Sequence, residues 1–266
     1  MNVAHLSRLI RPALCLLIGM SMVAGSLSVA AQNRPGEKKD PLISDDDIEL
    51  IKVYEVDLDS DPAPRVVIPK TELRDFLKEY QEDDRIPRGK REQDKWLRLD
   101  GHKQLALLFQ LRARDYYKHV RVRSQIESLR EFSNVHRRYI LEYFQPNFGS
   151  GKVPGLFLFP RTRGLDADRL EMTNFYILTQ ASVDGKLVID RNEPEDSLLV
   201  QWGLPRASAK FPVPEELEGW QPKFKDTDDE RYKELVKWIK SLIPANQGSN
   251  YGINYRMPQH KQPRSN

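Results

Sequence analysis

The chain has one cysteine in 266 residues, and that residue, Cys15, lies inside an N-terminal apolar run. No intramolecular disulfide can therefore form, and any thiolate metal site, cysteine nucleophile or thioether-linked cofactor would have to use Cys15. The chain must hold its fold without a disulfide.

The segment around Cys15 has the shape of a secretory leader. His5, Arg8 and Arg11 precede Ala13–Ala24 with no acid among them, and the small residues Val29, Ala30 and Ala31 follow. A basic start, a short apolar centre and a small-residue site predict export with cleavage after Ala31. Pro12-Ala13-Leu14 before the cysteine is not a lipobox, and Gly19, Ser21, Gly25 and Ser26 interrupt the apolar stretch, so no stable membrane span is expected after cleavage. Cys15 leaves with the leader. The remaining chain is thiol-free and keeps every aromatic: 10 Phe, 10 Tyr and 4 Trp. That supply of large apolar side chains is enough for an unstapled core.

Charge excludes one class of partner. Lys and Arg number 42 against 39 Asp and Glu, a formal net charge of +3, and the signs are intermixed along the chain. No nucleic-acid partner is expected from this balance.

Periodicity divides the chain into a leader (1–31), a polar linker (32–43), a small α+β N-terminal region (44–123), a helical domain (124–243) and a disordered tail (244–266). Ser44 before Asp45-Asp46-Asp47 predicts a capped helix. Arg65–Pro69 and His119–Arg123 read as short strands, and Thr71 as the cap of a helix carrying Leu73, Phe76, Leu77 and Tyr80. Gln81–Asp94, dense in charge, reads as a solvated loop, and Gly101 opens the next helix. The strongest stripe is Ile126, Leu129, Phe132, Val135, Tyr139, Ile140 and Tyr143. Gln145–Gly155 follows as an irregular loop, then helices over Asp166–Ser182, from Ser197, and over Asp228–Leu242. Phe132, Tyr139, Ile140, Trp220 and Trp238 are expected in one core. The fold class is mainly α.

Motifs for common chemistry are missing: no phosphate-binding Gly-Lys loop, no dinucleotide glycine fingerprint, no Gly-x-Ser-x-Gly elbow and no His-Glu-x-x-His. His102, His119, His136 and His260 each stand apart from zinc-site spacings, and read as structural or surface histidines. Asp166/Asp168 and Glu193/Glu195 flank helix starts or proline, where acids cap rather than catalyse.

The order of segments over residues 126–243 is similar to a family of exported c-type-cytochrome-like domains abundant in planctomycete bacteria. The matching pieces are Val135–Tyr143, Gly149–Phe159, Thr173-Asn174-Phe175-Tyr176-Ile177-Leu178, Pro194-Glu195-Asp196-Ser197-Leu198-Leu199, Glu218-Gly219-Trp220-Gln221-Pro222 and Trp238-Ile239-Lys240-Ser241-Leu242. The resemblance implies a compact cytochrome-c-like helical domain. Where that family carries Cys-x-x-Cys-His, this chain has Phe144-Gln145-Pro146-Asn147-Phe148, so Phe144, Asn147 and Phe148 mark a degenerate attachment segment. Thioether bonds need sulfur and iron needs an axial base. No cofactor is therefore expected, and Phe144, Phe148, Phe157 and Phe159 are expected to fill the macrocycle's volume. The resulting expectation is an exported, non-catalytic binding or structural domain with a protein partner in the periplasm or envelope. Two alternatives stand beside it: electron transfer through haem held noncovalently by His136 or Met172, and an envelope hydrolase using dispersed carboxylates.

Overall fold

Ser44 sets the first boundary of the fold. Its hydroxyl accepts from the Asp47 backbone N–H at 3.2 Å while the Asp47 carboxylate accepts the Ser44 N–H at 2.9 Å, a reciprocal cap that starts helix α1 (Asp45–Glu55). The computed structural model describes residues 41–60, 62–215, 217, 219–243 and 251–256. The expected leader, most of the linker and most of the tail lie outside the described residues.

Strand β1 (Val66–Val67) pairs antiparallel with β2 (Arg121–Val122), in register Val66↔Val122 and Val67↔Arg121. Between them run α2 (Lys70–Glu79), α3 (Gly89–Trp96), α4 (Gly101–Gln110) and a 3₁₀ turn (Arg114–His119). Helix α2 starts one residue after Pro69, and no side chain caps it, so the cap assigned to Thr71 does not form. Residues 89–96 are helical rather than loop. Their charge covers the solvent side only, and Trp96 turns inward to stack on Phe76 at 5.9 Å. Gly101 sits where β1 passes, and a Cβ there would lie 1.9 Å from the Val66 carbonyl oxygen.

Helix α5 (Glu127–Val135) does not end where its α-helical hydrogen bonds do; it continues as a wide-turn π-helix over His136–Gly149, with Pro146 inside. The loop expected from Gln145 onward therefore begins only after Gly149. Helix α6 (Ala167–Gln180) is capped by Asp166, whose carboxylate accepts the Arg169 N–H at 2.8 Å. A hairpin unforeseen in the periodicity follows, β3 (Ser182–Val183) with β4 (Lys186–Leu187). Asp184 (φ 49°) and Gly185 (φ 74°) both turn left-handed, which is the geometry that an Asp-Gly hairpin turn requires. Helices α7 (Leu198–Gln201) and α8 (Glu230–Lys240) complete a mainly helical fold with two small two-stranded sheets.

Residues 40–266 form one compact unit. Helix α1 packs against both β2 and α6. Phe132, Tyr139, Ile140 and Trp238 share the core as expected, with Phe132 meeting Phe175 at 5.0 Å and Trp238 at 5.1 Å. Trp220 is only half-buried. Two boundary expectations need correction. Leu42 and Ile43, assigned to a polar linker, are buried, and so are Tyr251 and Ile253, assigned to a disordered tail. Each is a side chain that gains by leaving water; nearby, the Ile43 backbone N–H reaches Thr173 Oγ1 at 3.1 Å, and Tyr251 packs edge-on against Tyr54 at 5.6 Å.

Candidate functional site

The segment expected to be a degenerate attachment loop is helical and largely buried. His136, Ile140, Phe144 and Phe148 recur every four residues along the π-helix and all face inward. Phe144 and Phe148 meet at 4.8 Å, and Trp202 closes over both at 6.0 and 5.0 Å. Beside them Tyr139 stacks on Phe224 at 5.4 Å with planes 6° apart. Gly203 permits this approach, since a Cβ there would come within 2.2 Å of the Phe224 ring. Half-buried Asn147 donates to the Tyr143 carbonyl at 2.7 Å, serving the helix rather than a ligand. Phe157 and Phe159 pair with each other at 5.1 Å, and no ring contact among the described residues joins them to Phe144 and Phe148. The aromatic block is thus built by Phe144, Phe148, Trp202, Tyr139 and Phe224, of which sequence reasoning named only the two phenylalanines for this purpose.

Tyr143 gives the block a polar edge. Its hydroxyl accepts from Trp220 Nε1 at 2.8 Å and lies 2.9 Å from the Gln221 carbonyl, to which it donates. Burial pushes both the Tyr139 and Tyr143 hydroxyls well up from the ordinary phenol range. They are protonated donors, with no phenolate to offer a metal or an electrophile.

His136 is the most buried histidine among the described residues, and its chemistry is fixed by its neighbours. Asn174 Oδ1 accepts the Phe159 N–H at 2.8 Å, which orients the amide so that Nδ2 faces His136 Nε2 at 3.0 Å while also donating to the Phe159 carbonyl. An amide NH₂ can only donate, so Nε2 accepts and the ring proton sits on Nδ1. Nδ1 in turn reaches Glu171 Oε2 at 3.3 Å. Glu171 is also hydrogen-bonded by the Ser133 hydroxyl. Burial raises the Glu171 carboxyl, but the hydrogen bonds from His136 and Ser133 outweigh it, and the net shift is downward.

Serine, histidine and carboxylate are therefore together, in an order that cannot activate the serine. A nucleophilic serine must give its proton to the imidazole, with the carboxylate behind the ring. Here Ser133 donates to Glu171, and the far ring nitrogen is already accepting from Asn174. Haem fares no better. An axial imidazole needs a free nitrogen lone pair, and Nε2 has none to spare. Met172, the alternative ligand, lines an open cleft of about 510 Å³ between α1, β2, α5 and α6, together with Ser133 and Glu171. The Phe144–Phe148 segment and His136 therefore do not fit a haem group.

The remaining candidates resolve into structure. Asp166 caps α6, Glu195 pairs with Lys240 at 2.6 Å, and His119 meets Glu72 at 3.3 Å. Asp168 lines the cleft, and His102 is half-buried. His260 lies outside the described residues. Among the described residues no three His, Asp, Glu or Cys side chains are placed to hold a metal ion together.

A second buried polar constellation escaped sequence reasoning. Glu55, 1% exposed, receives Arg191 Nη1 at 2.7 Å, the Tyr251 hydroxyl at 2.7 Å and the Ile243 N–H at 3.2 Å. Arg191 also hydrogen-bonds the Ile243 carbonyl and Tyr251. Burial lowers the guanidinium's hold on its proton, but Tyr251 and Glu55 more than restore it, so it stays charged. One buried ion pair thus ties α1, the segment after β4, the end of α8 and residue 251. The only sequence signal was a glutamate among Val53, Tyr54 and Val56, all of them buried.

No protein-family model, curated protein or solved structure matches the chain. No helix of the described residues is long and apolar enough to cross a membrane.

Proposed function

We propose that this chain is an exported, haem-free relative of cytochrome-c-like domains, acting as a non-catalytic binding or structural component of the periplasm or cell envelope through a protein partner. The observation that carries the reading is the state of His136: both ring nitrogens are already hydrogen-bonded, to Glu171 and Asn174, inside a packed core. The segment order over 126–243 supplies the family expectation, and the leader-like N-terminus supplies the compartment.

The two alternatives need groups that are committed elsewhere. Electron transfer through noncovalent haem would use His136 or Met172, and both ring nitrogens of His136 are already hydrogen-bonded. Hydrolysis needs a carboxylate or serine–imidazole pair aimed at a substrate, whereas Asp166 and Glu195 hold a helix end and a lysine, and Ser133 faces a carboxylate.

The test is expression of the full sequence in cells that mature c-type cytochromes. The expected product begins at or near Gln32, fractionates with periplasm or envelope, and lacks a Soret band. A Soret band in the purified protein, or turnover of ester, amide or glycoside substrates lost on Glu171→Gln, would overturn the proposal.

A further inference from the structure

The outer side of α3 is a cationic face that the fold itself does not use. Lys90, Arg91, Lys95 and Arg98, with Asp94 and Leu99, border an open surface depression of about 700 Å³. Arg91, Lys95 and Arg98 follow a four-then-three spacing that lines them along one stripe. Neither Lys90, Arg91 nor Arg98 forms an ion pair with a described residue, and Lys95 reaches Glu92 only at 3.9 Å. Arg85 and Arg88, just upstream, are by contrast paired with Asp83 and Asp84.

Helix stability does not explain these cations. Lys90 and Arg91 stand in the first turn, where the backbone dipole disfavours positive charge, and like charges four apart repel. The opposite side of the helix is anchored by buried Trp96. At the end of the stripe Leu99 is 40% exposed, one of three large hydrophobics left in water among the described residues.

Unpaired cations beside an exposed leucine match one kind of surface: phosphate groups above a hydrocarbon layer. Lysine and arginine bind headgroup phosphates, and an apolar side chain enters the boundary below them. A soluble phosphate would use the cations and leave Leu99 in water. We propose that the α3 face docks the protein peripherally on a bilayer rich in anionic phospholipid. The inference is independent of the fate of the haem site.

The test uses the parent protein and its variants as they are processed in cells that export them. They are sedimented with vesicles of phosphatidylcholine, with or without about one-third phosphatidylglycerol. Binding is expected to the anionic vesicles only, and to fall about tenfold between about 0.05 M and 0.5 M salt. The K90Q/R91Q/R98Q variant should bind about tenfold more weakly, whereas R74Q/R161Q/R163Q, which removes as many exposed cations elsewhere, should bind as the parent does. Leu99→Ser should weaken binding about threefold without altering the salt dependence. Equal loss in the two triple variants, equal binding to neutral vesicles, displacement by inorganic phosphate beyond that by chloride of the same ionic strength, or tighter retention on duplex DNA than on vesicles would each overturn the proposal.

Discussion

Two buried regions of this molecule are built on opposite principles. The aromatic block of Phe144, Phe148, Trp202, Tyr139 and Phe224 is contributed by one helix and the segments directly beneath it, and it is non-directional: each ring is stabilised by leaving water. The Glu55–Arg191–Tyr251 cluster draws on three residues spread over nearly 200 positions, and it is directional: each charge is tolerable only because specific partners meet it. The first region fills space. The second decides which segments lie together, and its removal should be felt far from where the atoms are deleted.

The largest effect is expected from breaking the directional region. Arg191→Ala leaves the buried Glu55 carboxyl without its cation, and should cost about 4 kcal/mol in urea unfolding. The paired change Glu55→Leu with Arg191→Met should recover most of that loss, because apolar side chains of similar volume need no partner. If the single variant loses less than about 1 kcal/mol, water reaches the cluster and the contrast between the regions fails.

Next come the fillers. Phe148→Ala and Trp238→Ala each open a cavity in packed surroundings and should cost about 3 kcal/mol by the same measurement. Trp238 also gives up its indole hydrogen bond to the Ser128 carbonyl at 3.1 Å. A cost below about 1 kcal/mol for either would place that ring outside the core.

The third effect is set by pH. Glu171 has a folded carboxyl below its ordinary value of 4.5. The folded state then binds the proton less readily than the unfolded chain does, so the contribution is complete well above that value and is lost as pH falls through it toward the lower folded pKa. Glu171→Gln should cost about 1 kcal/mol near neutrality and flatten the dependence of stability on pH below about 5. An unchanged acid limb in the variant would show that His136 and Ser133 do not favour the ionised carboxylate.

Smallest is Tyr143→Phe, which removes the hydroxyl joining Trp220 and Gln221 while leaving the ring in place. A loss of about 0.5 kcal/mol is expected. The fluorescence of half-buried Trp220 should shift as its indole N–H loses one acceptor and keeps only the Trp202 carbonyl at 3.1 Å.

The contrast also explains what could be read in the sequence. Aromatic and aliphatic stripes follow helical spacing, so α1, α2, α4, α5, α6 and α8 were legible, as was the pair of strands at Val66 and Val122. Charge density misled at Gly89–Trp96, because a helix covered by neighbours on one side needs only buried Trp96 and half-buried Gln93 there. The π-helix was hidden because Pro146 and Gly149 carry turn chemistry whatever the preceding helix does with its hydrogen bonds. Partner choice across long separations was not legible at all. Nothing near Arg191 announces Glu55, and nothing near His136 announces Asn174, since a directional pair leaves no periodic trace.

The proposal of a haem-free domain rests on the occupied nitrogens of His136 and on the packed rings around Phe144 and Phe148. Its most direct test is a haemin titration of residues 40–266, followed at the Soret band, for the parent and for His136→Ala. Both proteins should give the weak, non-saturating response of an unrelated protein, because Nε2 is occupied by Asn174 and Phe144, Phe148 and Trp202 pack against one another. A stoichiometric, saturable Soret shift in the parent that vanishes in His136→Ala would contradict the account and make that histidine an axial ligand.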